Sequence, residues 1–320
     1  GLADWETVLD FYFQVRHFLN MYENLDDHYR IYTELKDDGS FLLRLFCVDP
    51  SRCLSDCLER GRSSVFFSAT FLPILYYKKL LSGNTEDYAV YAPSPFPAEN
   101  RLLLIGSDVS SRYSRRNQAE YRKVADYIWA AAKSHRGNYM VFFPSYRYME
   151  AVEKELERDF DGSIAWQMQG NRMTEEEREA FLDRFEAGRE RSFVGLCVLG
   201  GIFSEGIDLR AERLEGVIVV GTGLPMVCPE QEILRDYFEE REENGYGYAY
   251  QYPGMNKVLQ AAGRVIRTDT DKGVILLLDD RFLQPEIQGM FPREWSEYGK
   301  VTRKTAGRWL ERFWEGREGK

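Results

Sequence analysis

The stretch NYMVFFPSYRYMEAVEKELERD, Asn138 to Asp159, decides the fold class of this chain. Its first half is a continuous apolar run that ends in proline, and its second half is rich in charge at helical spacing. A strand that is apolar on both faces and is followed at once by a helix is typical of a sheet buried between two layers of helices. If the unit repeats, it predicts an α/β protein.

The same alternation of apolar strand and charged helix continues on both sides of this stretch. Strands are predicted at RLLLIGSDV, SIAWQMQ, SFVGLCVLG, GVIVVG and GVILLLDD, which begin at Arg101, Ser163, Ser192, Gly216 and Gly273. Helices are predicted over 114–134, 146–159, 174–187 and 230–244, and around Gln260. The predicted fold is therefore α/β, with a mostly parallel sheet covered by helices on both faces. Ligands of such folds bind at the carboxyl ends of the strands.

The first 90 residues follow a different pattern. A long amphipathic helix is predicted over Trp5 to Tyr22, followed by the strands IYTEL and FLLRLFCV on either side of the turn KDDGS. The run VFFSAT, Val65 to Thr70, predicts a buried strand, and the next helix is predicted to stop at Ser82-Gly83-Asn84. The alternating prolines 93, 95 and 97 then predict an irregular linker.

Composition limits the classes of function. The chain carries 42 basic and 52 acidic residues, a net charge of −10, which argues against a protein that coats nucleic acid but allows a local basic groove. The clearest local excess of positive charge is SSRYSRRNQAEYRK, Ser110 to Lys123. Five scattered cysteines without paired C-x-x-C units argue against a zinc site or a disulfide framework. Without a long apolar run or a signal sequence, we expect a cytosolic protein with no membrane partner.

The segment QAAGRVIR, Gln260 to Arg267, carries the strongest chemical signal. At a spacing of i, i+4 and i+7, Gln260, Arg264 and Arg267 are predicted to share one helical face. Arginine suits a phosphate-facing position because its guanidinium stays ionised and offers a planar fork of donors. Taken alone, the row is more typical of a solvated basic helix face, and the rest of the chain must decide between the two interpretations.

Three strands end in loops of special composition. VFFPSY ends in Ser145 and Tyr146, VVGTGLP carries Gly221 and Gly223, and LGGIFSEGIDL carries Glu205, Gly206 and Asp208. Glycine lets the backbone approach a ligand closely, and carboxylates accept hydrogen bonds from ribose or hold an arginine. Each loop alone is also compatible with an ordinary turn or a helix cap.

Together with SATF (Ser68 to Phe71) and SPF (Ser94 to Phe96), these strings resemble motifs III to VI of superfamily 2 helicases, most closely the XPD/DinG-like branch. The resemblance covers about Phe41 to Phe282 and implies a RecA-like second motor domain. On this basis we expect residues 1–75 to be a remnant of the arch return and the first motor domain, and 76–320 to be the C-terminal motor domain.

The resemblance also implies roles for individual residues. Arg264 and Arg267 would act as arginine fingers on the γ-phosphate, and Gln260 would sense the nucleotide. Glu205, Gly206 and Asp208 would bind the nucleotide and link it to DNA. Single-stranded DNA would contact Ser145, Tyr146, Arg147, Arg112 and Arg115. Ser68 and Thr70 would couple closure of the two motor domains.

Neither a phosphate loop of the form G-x-x-x-x-G-K-[ST] nor an Asp-Glu dipeptide occurs in this sequence. We therefore expect ATP and Mg²⁺ to be bound mainly by a missing N-terminal motor domain of the same protein, and this chain alone to lack ATPase activity. No iron-sulfur cluster is expected here. The expected partner is single-stranded or forked DNA, with 5′ to 3′ movement, as in relatives. The alternatives are a stand-alone nucleic-acid or protein binding module and a nuclease-linked assembly.

Overall fold

Two units are distinguished in the computed structural model, which describes residues 2–159, 161–204, 209 and 213–316. The first unit comprises residues up to Ala89 together with Val227–Gly245. The second unit comprises Val90–Met226 together with the residues from Tyr246 onward. Each unit contains its own sheet, with two strands in the first and seven in the second. These units are compact regions of the structure. The division predicted at residue 75 is a different one, between a remnant of the first motor domain and the second motor domain, and it stays a prediction.

The first unit consists of helices around a short hairpin. Its helices are α1 (Leu2–Glu23), α2 (Ser51–Leu58), α3 (Ile74–Ser82) and α7 (Pro229–Glu239), and its strands are β1 (Tyr29–Leu35) and β2 (Phe41–Cys47). The strands pair antiparallel, with Tyr29 opposite Cys47 and Leu35 opposite Phe41. The turn between them uses Gly39, whose φ of 81° lies in the left-handed region that favours glycine. The predicted first helix and strand pair are therefore confirmed.

Ion pairs explain why Val227–Gly245 belongs to the first unit. Arg44 on β2 places its Nη1 2.7 Å from a carboxylate oxygen of Glu230 in α7. Arg30 on β1 places its Nη2 3.0 Å from Glu240, just after the same helix. The guanidinium of Arg30 also lies over the ring of Tyr237, 4.8 Å from its centroid. The acidic helix α7 is thus partly matched to basic residues of the hairpin.

The predicted buried strand VFFSAT is wrong. Val65 and Phe67 are 83% and 89% exposed, and none of the described strands pairs with Val65–Thr70. A strand needs a neighbouring strand to satisfy its backbone groups and cover its side chains. The apolar sequence therefore predicted a tendency to form a strand, whereas in the described part of the chain this segment pairs with no strand.

The helix α1 also exposes large apolar side chains, including Trp5, Phe11 and Phe13, which are 62%, 67% and 62% exposed. It spans 22 residues and is the longest helix of the first unit. Among the described residues, every helix is too short or too polar to cross a bilayer.

The second unit is built on a parallel sheet. Its strands are β3 (Arg101–Gly106), β4 (Asn138–Phe143), β5 (Ile164–Met168), β6 (Ser192–Val198), β7 (Gly216–Val220), β8 (Gly273–Leu278) and β9 (Gly299–Val301). They lie in the order β5-β6-β4-β7-β8-β3-β9, and every neighbouring pair is parallel. The predicted parallel sheet is confirmed.

Helices cover both faces of this sheet, as predicted. They are α4 (Gln118–Ser134), α5 (Tyr146–Arg158), α6 (Glu175–Asp183), α8 (Tyr252–Ala262), α9 (Pro285–Gln288) and α10 (Ala306–Trp314). Tyr139, Val141 and Phe143 of β4 pack in one buried cluster with residues of α4, α5 and α10. On α6, Phe181 stacks against Phe203 with ring centroids 4.5 Å apart. Burial on both faces explains why the strands read as continuous apolar runs.

Helix caps set the boundaries that the sequence pattern left uncertain. The helix predicted from residue 114 begins as α4 at Gln118, because the side chain of Asn117 accepts a hydrogen bond from the Glu120 amide. A capping box of Thr174 and Glu177 fixes the start of α6, the helix predicted from residue 174. The predicted end of the helix before Gly83 is also confirmed, since Gly83 caps α3 with a φ of 71°.

The aromatic run GYGYAYQY leads into α8 as a π-helical segment, Gly247–Gln251. Tyr248 and Tyr250 are 7% and 4% exposed. These two tyrosines therefore pack against their own domain rather than forming an open stacking surface.

A direct backbone contact places α8 against the end of β7. Gly223, in the loop after β7, has a φ of 71°, and a Cβ added to it would overlap the carbonyl oxygen of Gly254 in α8. A Cβ added to Gly254 would in turn lie 2.8 Å from the carbonyl oxygen of Thr222. The loop and the helix approach this closely only because neither glycine carries a side chain.

We expect Gly223→Ala to lower the free energy of unfolding by about 2 kcal/mol or more, because it adds left-handed strain to a steric clash. The measurement is the urea unfolding midpoint, monitored by tryptophan fluorescence. Gly307→Ala is the matched control, because a Cβ there meets nothing within 4 Å and Gly307 lies in α10. The control should leave stability unchanged or raise it by up to about 1 kcal/mol. Equal midpoints for the Gly223 variant and the unmutated chain would contradict the close contact.

Candidate functional site

The loops that follow β6, β4, β7, β8 and β3 lie side by side at the carboxyl edge of the sheet, because these strands are consecutive neighbours and all parallel. The segment from Gln260 to Arg267 leaves α8 near the loop after β6. The described strand-end residues singled out from the sequence, which are Ser145, Tyr146, Gly221 and Gly223, thus fall on one edge of the second unit.

The loop after β4 contains Ser145, Tyr146 and Arg147. Ser145 caps α5, and its Oγ accepts a hydrogen bond from the Tyr148 amide at 3.3 Å. The hydroxyl of Tyr146 accepts a hydrogen bond from Gln169 Nε2 at 2.7 Å and lies 3.2 Å from the carbonyl oxygen of Gly170. Arg147 is exposed. Ser145 therefore has a clear structural role, whereas Arg147 presents its charge to solvent.

Gln169 joins this loop to the next strand. Its Oε1 accepts a hydrogen bond from the Val198 amide at 3.0 Å, while its Nε2 donates to Tyr146. The side chain is 4% exposed. A Cβ added to Gly201 would lie 3.2 Å from Gln169 Nε2, so the amide packs directly beneath the loop after β6. Gln169 was not predicted, because nothing in its local sequence distinguishes it from a strand residue.

The loop after β6, Leu199 to Ser204, is held by internal hydrogen bonds. The amide of Gly200 donates to Ser204 Oγ at 2.6 Å, and the amide of Ser204 donates to the carbonyl of Gly201 at 2.8 Å. Gly200 has a φ of 76°. The predicted nucleotide-binding residues Glu205, Gly206 and Asp208, which come next in the sequence, lie outside the described residues.

The prediction that Gln260, Arg264 and Arg267 share a helical face is wrong. The helix α8 ends at Ala262, so only Gln260 lies on it. Gly263 is the C-cap, and the Arg264 amide then bonds to the carbonyl of Ala261, three residues back rather than four. Glycine after a helical run is a helix-stop signal, and the spacing rule applies only while the helix continues.

Arg264 is 7% exposed, and its Nη2 donates a hydrogen bond to the carbonyl oxygen of Ser204. This contact ties the QAAGRVIR segment to the loop after β6. Arginine at this position therefore supports the loop in addition to any contact with a phosphate.

Arg267 lies on a turn organised by Asp271. One carboxylate oxygen of Asp271 accepts from the amides of Arg267 at 2.7 Å and Thr268 at 2.8 Å, and the other accepts from Thr268 Oγ1 at 2.7 Å. Asp271 is 5% exposed. The buried carboxylate fixes the backbone from which the Arg267 side chain projects.

A buried network that the sequence did not predict lies after β8 and β3. Asp279 is fully buried and accepts hydrogen bonds from the amide and Oγ of Ser111 at 2.8 and 2.7 Å. Arg281 donates to the same carboxylate through Nε at 2.7 Å and Nη2 at 2.9 Å. Burial acts to raise the pKa of Asp279, but the bonds from Arg281 and Ser111 outweigh it and hold the pKa below its usual value. The carboxylate is therefore ionised at neutral pH.

The basic segment that contains Arg112 and Arg115 is partly compensated by acids. Arg115 pairs with Glu120 at 2.9 Å, and Lys123 pairs with the same carboxylate at 2.7 Å. Arg112 and Arg115 each lie 3.8 Å from a carboxylate oxygen of Asp280. The side chains of Arg112 and Arg115 remain 40% and 46% exposed. They reach solvent while sharing carboxylates.

Ser68 and Thr70 form a small local turn in the first unit. Their hydroxyls lie 3.3 Å apart, and the Thr70 amide donates to Ser68 Oγ at 3.1 Å. Their predicted role in coupling two motor domains stays a prediction.

Among the described residues, one cluster brings three metal-ligating side chains together: Asp26, Asp27 and His28. Its acids already face arginines, since Arg52 lies 2.6 Å from Asp26 and Arg241 lies 3.7 Å from Asp27. An ion pair with arginine competes with metal coordination, so this cluster is better explained by charge compensation.

We expect Asp279→Asn to lower the free energy of unfolding at pH 7 by about 3 kcal/mol, because it leaves the largely buried Arg281 without its counter-ion. A carboxylate whose folded pKa is depressed stabilises the protein above its unfolded pKa of about 4, and that stability is lost as the pH falls through the folded pKa. The difference between the unmutated chain and the variant should therefore shrink from pH 7 to pH 3. Urea unfolding at both pH values measures it.

Asp183→Asn is the matched control, because Asp183 is exposed on α6. Its effect should stay within about 0.5 kcal/mol at both pH values. A difference for Asp279→Asn that stays constant with pH would contradict an ionised, stabilising carboxylate.

A family model described as the helicase C-terminal domain matches residues 128–298 of this chain. The chain is 27% identical over 277 residues to the general transcription and DNA repair factor IIH helicase subunit XPD of Schizosaccharomyces pombe, covering 80% of this chain and 35% of that protein. It is 28% identical over 238 residues to a probable ATP-dependent helicase of Methanocaldococcus jannaschii, covering 69% and 35%. The chain thus spans about a third of the length of these curated relatives.

Solved structures show the same fold. A structure of XPD in its apo form superimposes with a TM-score of 0.63 at 20% identity, covering 90% of this chain and 57% of that chain. A second XPD helicase structure superimposes with a TM-score of 0.59 at 21% identity, covering 82% and 47%.

Proposed function

We propose, on the premise that this chain belongs to the helicase C-terminal domain family, that it works as the second motor domain of an ATP-dependent DNA helicase. The resemblance to the XPD-like branch, predicted from the motifs, is confirmed at the level of family and fold. Because the chain spans about a third of its relatives, hydrolysis and unwinding are proposed for the whole protein. The proposal is carried by the contact of Arg264 with the loop after β6, which joins two predicted motifs at one sheet edge.

The proposed reaction transfers the γ-phosphoryl group of ATP to water. An N-terminal motor domain of the same protein would hold the phosphates and Mg²⁺, and this chain would supply positive charge to the phosphoryl oxygens. We assign that role first to Arg267, whose backbone is fixed by Asp271. A preorganised cation stabilises charge that develops in the transition state without reorganising during the reaction.

The guanidinium of Arg264 already has a partner within the protein. Its hydrogen bond to the Ser204 carbonyl means that contact with a phosphate would change the support of the loop after β6. We propose that Arg264 reports the nucleotide state to this loop, together with Gln260 on the last turn of α8. Glu205, Gly206 and Asp208 are proposed to contact the nucleotide from the continuation of that loop.

The proposed DNA track follows the loop after β4. Arg147 is exposed beside Tyr146, so its guanidinium is available to a backbone phosphate and the tyrosine ring to a base. Arg112 and Arg115 are proposed as further phosphate contacts that exchange their shared carboxylates for DNA. Single-stranded or forked DNA and 5′ to 3′ movement remain proposals drawn from the relatives. So does the coupling role of Ser68 and Thr70.

We expect Arg267→Ala in the full-length protein to reduce DNA-stimulated ATP turnover by about 10³- to 10⁵-fold, the range of known arginine fingers. Steady-state phosphate release at saturating ATP measures the effect, and binding of a single-stranded oligonucleotide should stay within about threefold. Arg308→Ala, an exposed arginine on α10, is the control and should leave turnover unchanged. Unchanged turnover in the Arg267 variant would show that Arg267 takes no part in the reaction.

Measurable Mg²⁺-dependent turnover by this chain alone would contradict the assignment of phosphate and metal binding to another domain.

We expect Arg147→Ala to weaken binding of single-stranded DNA and to lower the salt dependence of log K by about 0.7, the value for one lost phosphate contact on a single strand. Fluorescence anisotropy with a labelled oligothymidylate at several salt concentrations measures both. Arg158→Ala is the matched control, because Arg158 lies at the opposite end of α5 with its side chain 63% exposed. If the salt dependence of log K is the same for Arg147→Ala and Arg158→Ala, the DNA does not contact Arg147.

A further inference from the structure

Lys257 on α8 lies over the loop after β6. A Cβ added to Gly200 would lie 3.2 Å from Lys257 Cδ and Cε and 3.3 Å from Nζ. The lysine side chain therefore occupies the space that any other residue at position 200 would fill. Its amine is held against the loop by packing and remains partly exposed.

No acid neutralises this amine in the described part of the chain. Lys257 Nζ has neither an ion pair nor a hydrogen bond there, although other cations on this edge, such as Arg115 and Arg281, face carboxylates. A cation held in place without a counter-ion is an electrostatic site for an anion.

The loop itself adds a donor to the same place. Gly200 adopts a positive φ and the turn closes through the Ser204 amide, which donates to Gly201. Within the described residues, the backbone N–H of Ile202 makes no hydrogen bond, and Ile202 is half-buried rather than enclosed. A backbone N–H left unbonded in a turn after a left-handed residue is a donor that favours an anion.

The position of the loop indicates which anion fits. Gly201 packs on Gln169, and Gln169 bonds to the Tyr146 hydroxyl, so the loop after β6 continues the surface that carries Tyr146 and Arg147. Arg264 contacts the same loop at its far end, at Ser204. Lys257 is thus on the side of the proposed DNA track, and Arg264 is on the side that leads to the proposed nucleotide-binding residues.

We propose that Lys257 and the loop over which it lies bind a backbone phosphate of single-stranded DNA, next along the strand from the phosphate bound by Arg147. This inference rests on the proposed function and extends it to a residue outside the helicase motifs. No sequence is read by such a contact, since a phosphate is common to every nucleotide.

The test is equilibrium binding of a fluorescein-labelled oligothymidylate to the full-length protein over a range of salt concentrations. Lys257→Ala should weaken binding about 3- to 10-fold and lower the salt dependence of log K by about 0.7, whereas Lys257→Arg should retain the salt dependence. The KM for ATP should not change in either variant. Lys304→Ala, an exposed lysine before α10, is the matched control.

Arg147→Ala measured in parallel separates the two levels of the proposal. If Arg147→Ala lowers the salt dependence and Lys257→Ala does not, the Lys257 site is wrong and the DNA track stands. If neither variant changes it, both the track and this site are wrong. A raised KM for ATP with unchanged DNA binding in Lys257→Ala would assign the lysine to the nucleotide and overturn the proposal. Equal unfolding midpoints for the variants exclude a folding defect as the cause.

Discussion

The backbone contact between Gly223 and Gly254 sets the geometry of the sheet edge. Two chain segments without side chains meet there, and the helix α8 is brought against the end of β7. Two contacts depend on that placement: Lys257 on α8 lies over Gly200, and Arg264, two residues after the end of α8, bonds to the Ser204 carbonyl. The interior is closely packed and cannot accommodate a displaced helix. A methyl group added at either glycine would therefore shift α8 and move both cations relative to the loop after β6.

Positive charge at this edge is distributed unevenly. Arg115 and Arg281 face carboxylates that are themselves largely buried, Glu120 and Asp279. Such pairs stiffen the loops, and a phosphate that binds one of these guanidinium groups must first compensate for the bond that the buried acid loses. A chain with a net negative charge can therefore still bind a polyanion if a few of its cations have no acidic partner. Such cations are identified by their exposure and by the absence of a nearby acid, and not by the number of basic residues.

Most of the sheet could be predicted from the sequence, because a strand buried on both faces leaves an unbroken apolar run such as NYMVFF. The predictions of secondary structure failed where they depended on a neighbouring strand or on the length of a helix. VFFSAT has strand composition but no neighbouring strand among the described residues, and the helical spacing of Gln260 and Arg264 was counted past the glycine that ends α8. The network of Ser111, Asp279 and Arg281 was beyond such reasoning, because only the fold joins residues 168 positions apart.

The amide of Gln169 has one further consequence. It holds Tyr146 with its nitrogen and Val198 with its oxygen, and Val198 leads into the loop that Arg264 supports at its end. Under the proposed function, a tyrosine that turned to stack on a base would give up its bond to this amide and loosen the start of that loop. Ligands that act on opposite ends of one loop share a coupling free energy, and each must change the affinity of the other by the same factor. Under the proposed function, a single buried side-chain amide would thereby make DNA affinity and nucleotide affinity interdependent.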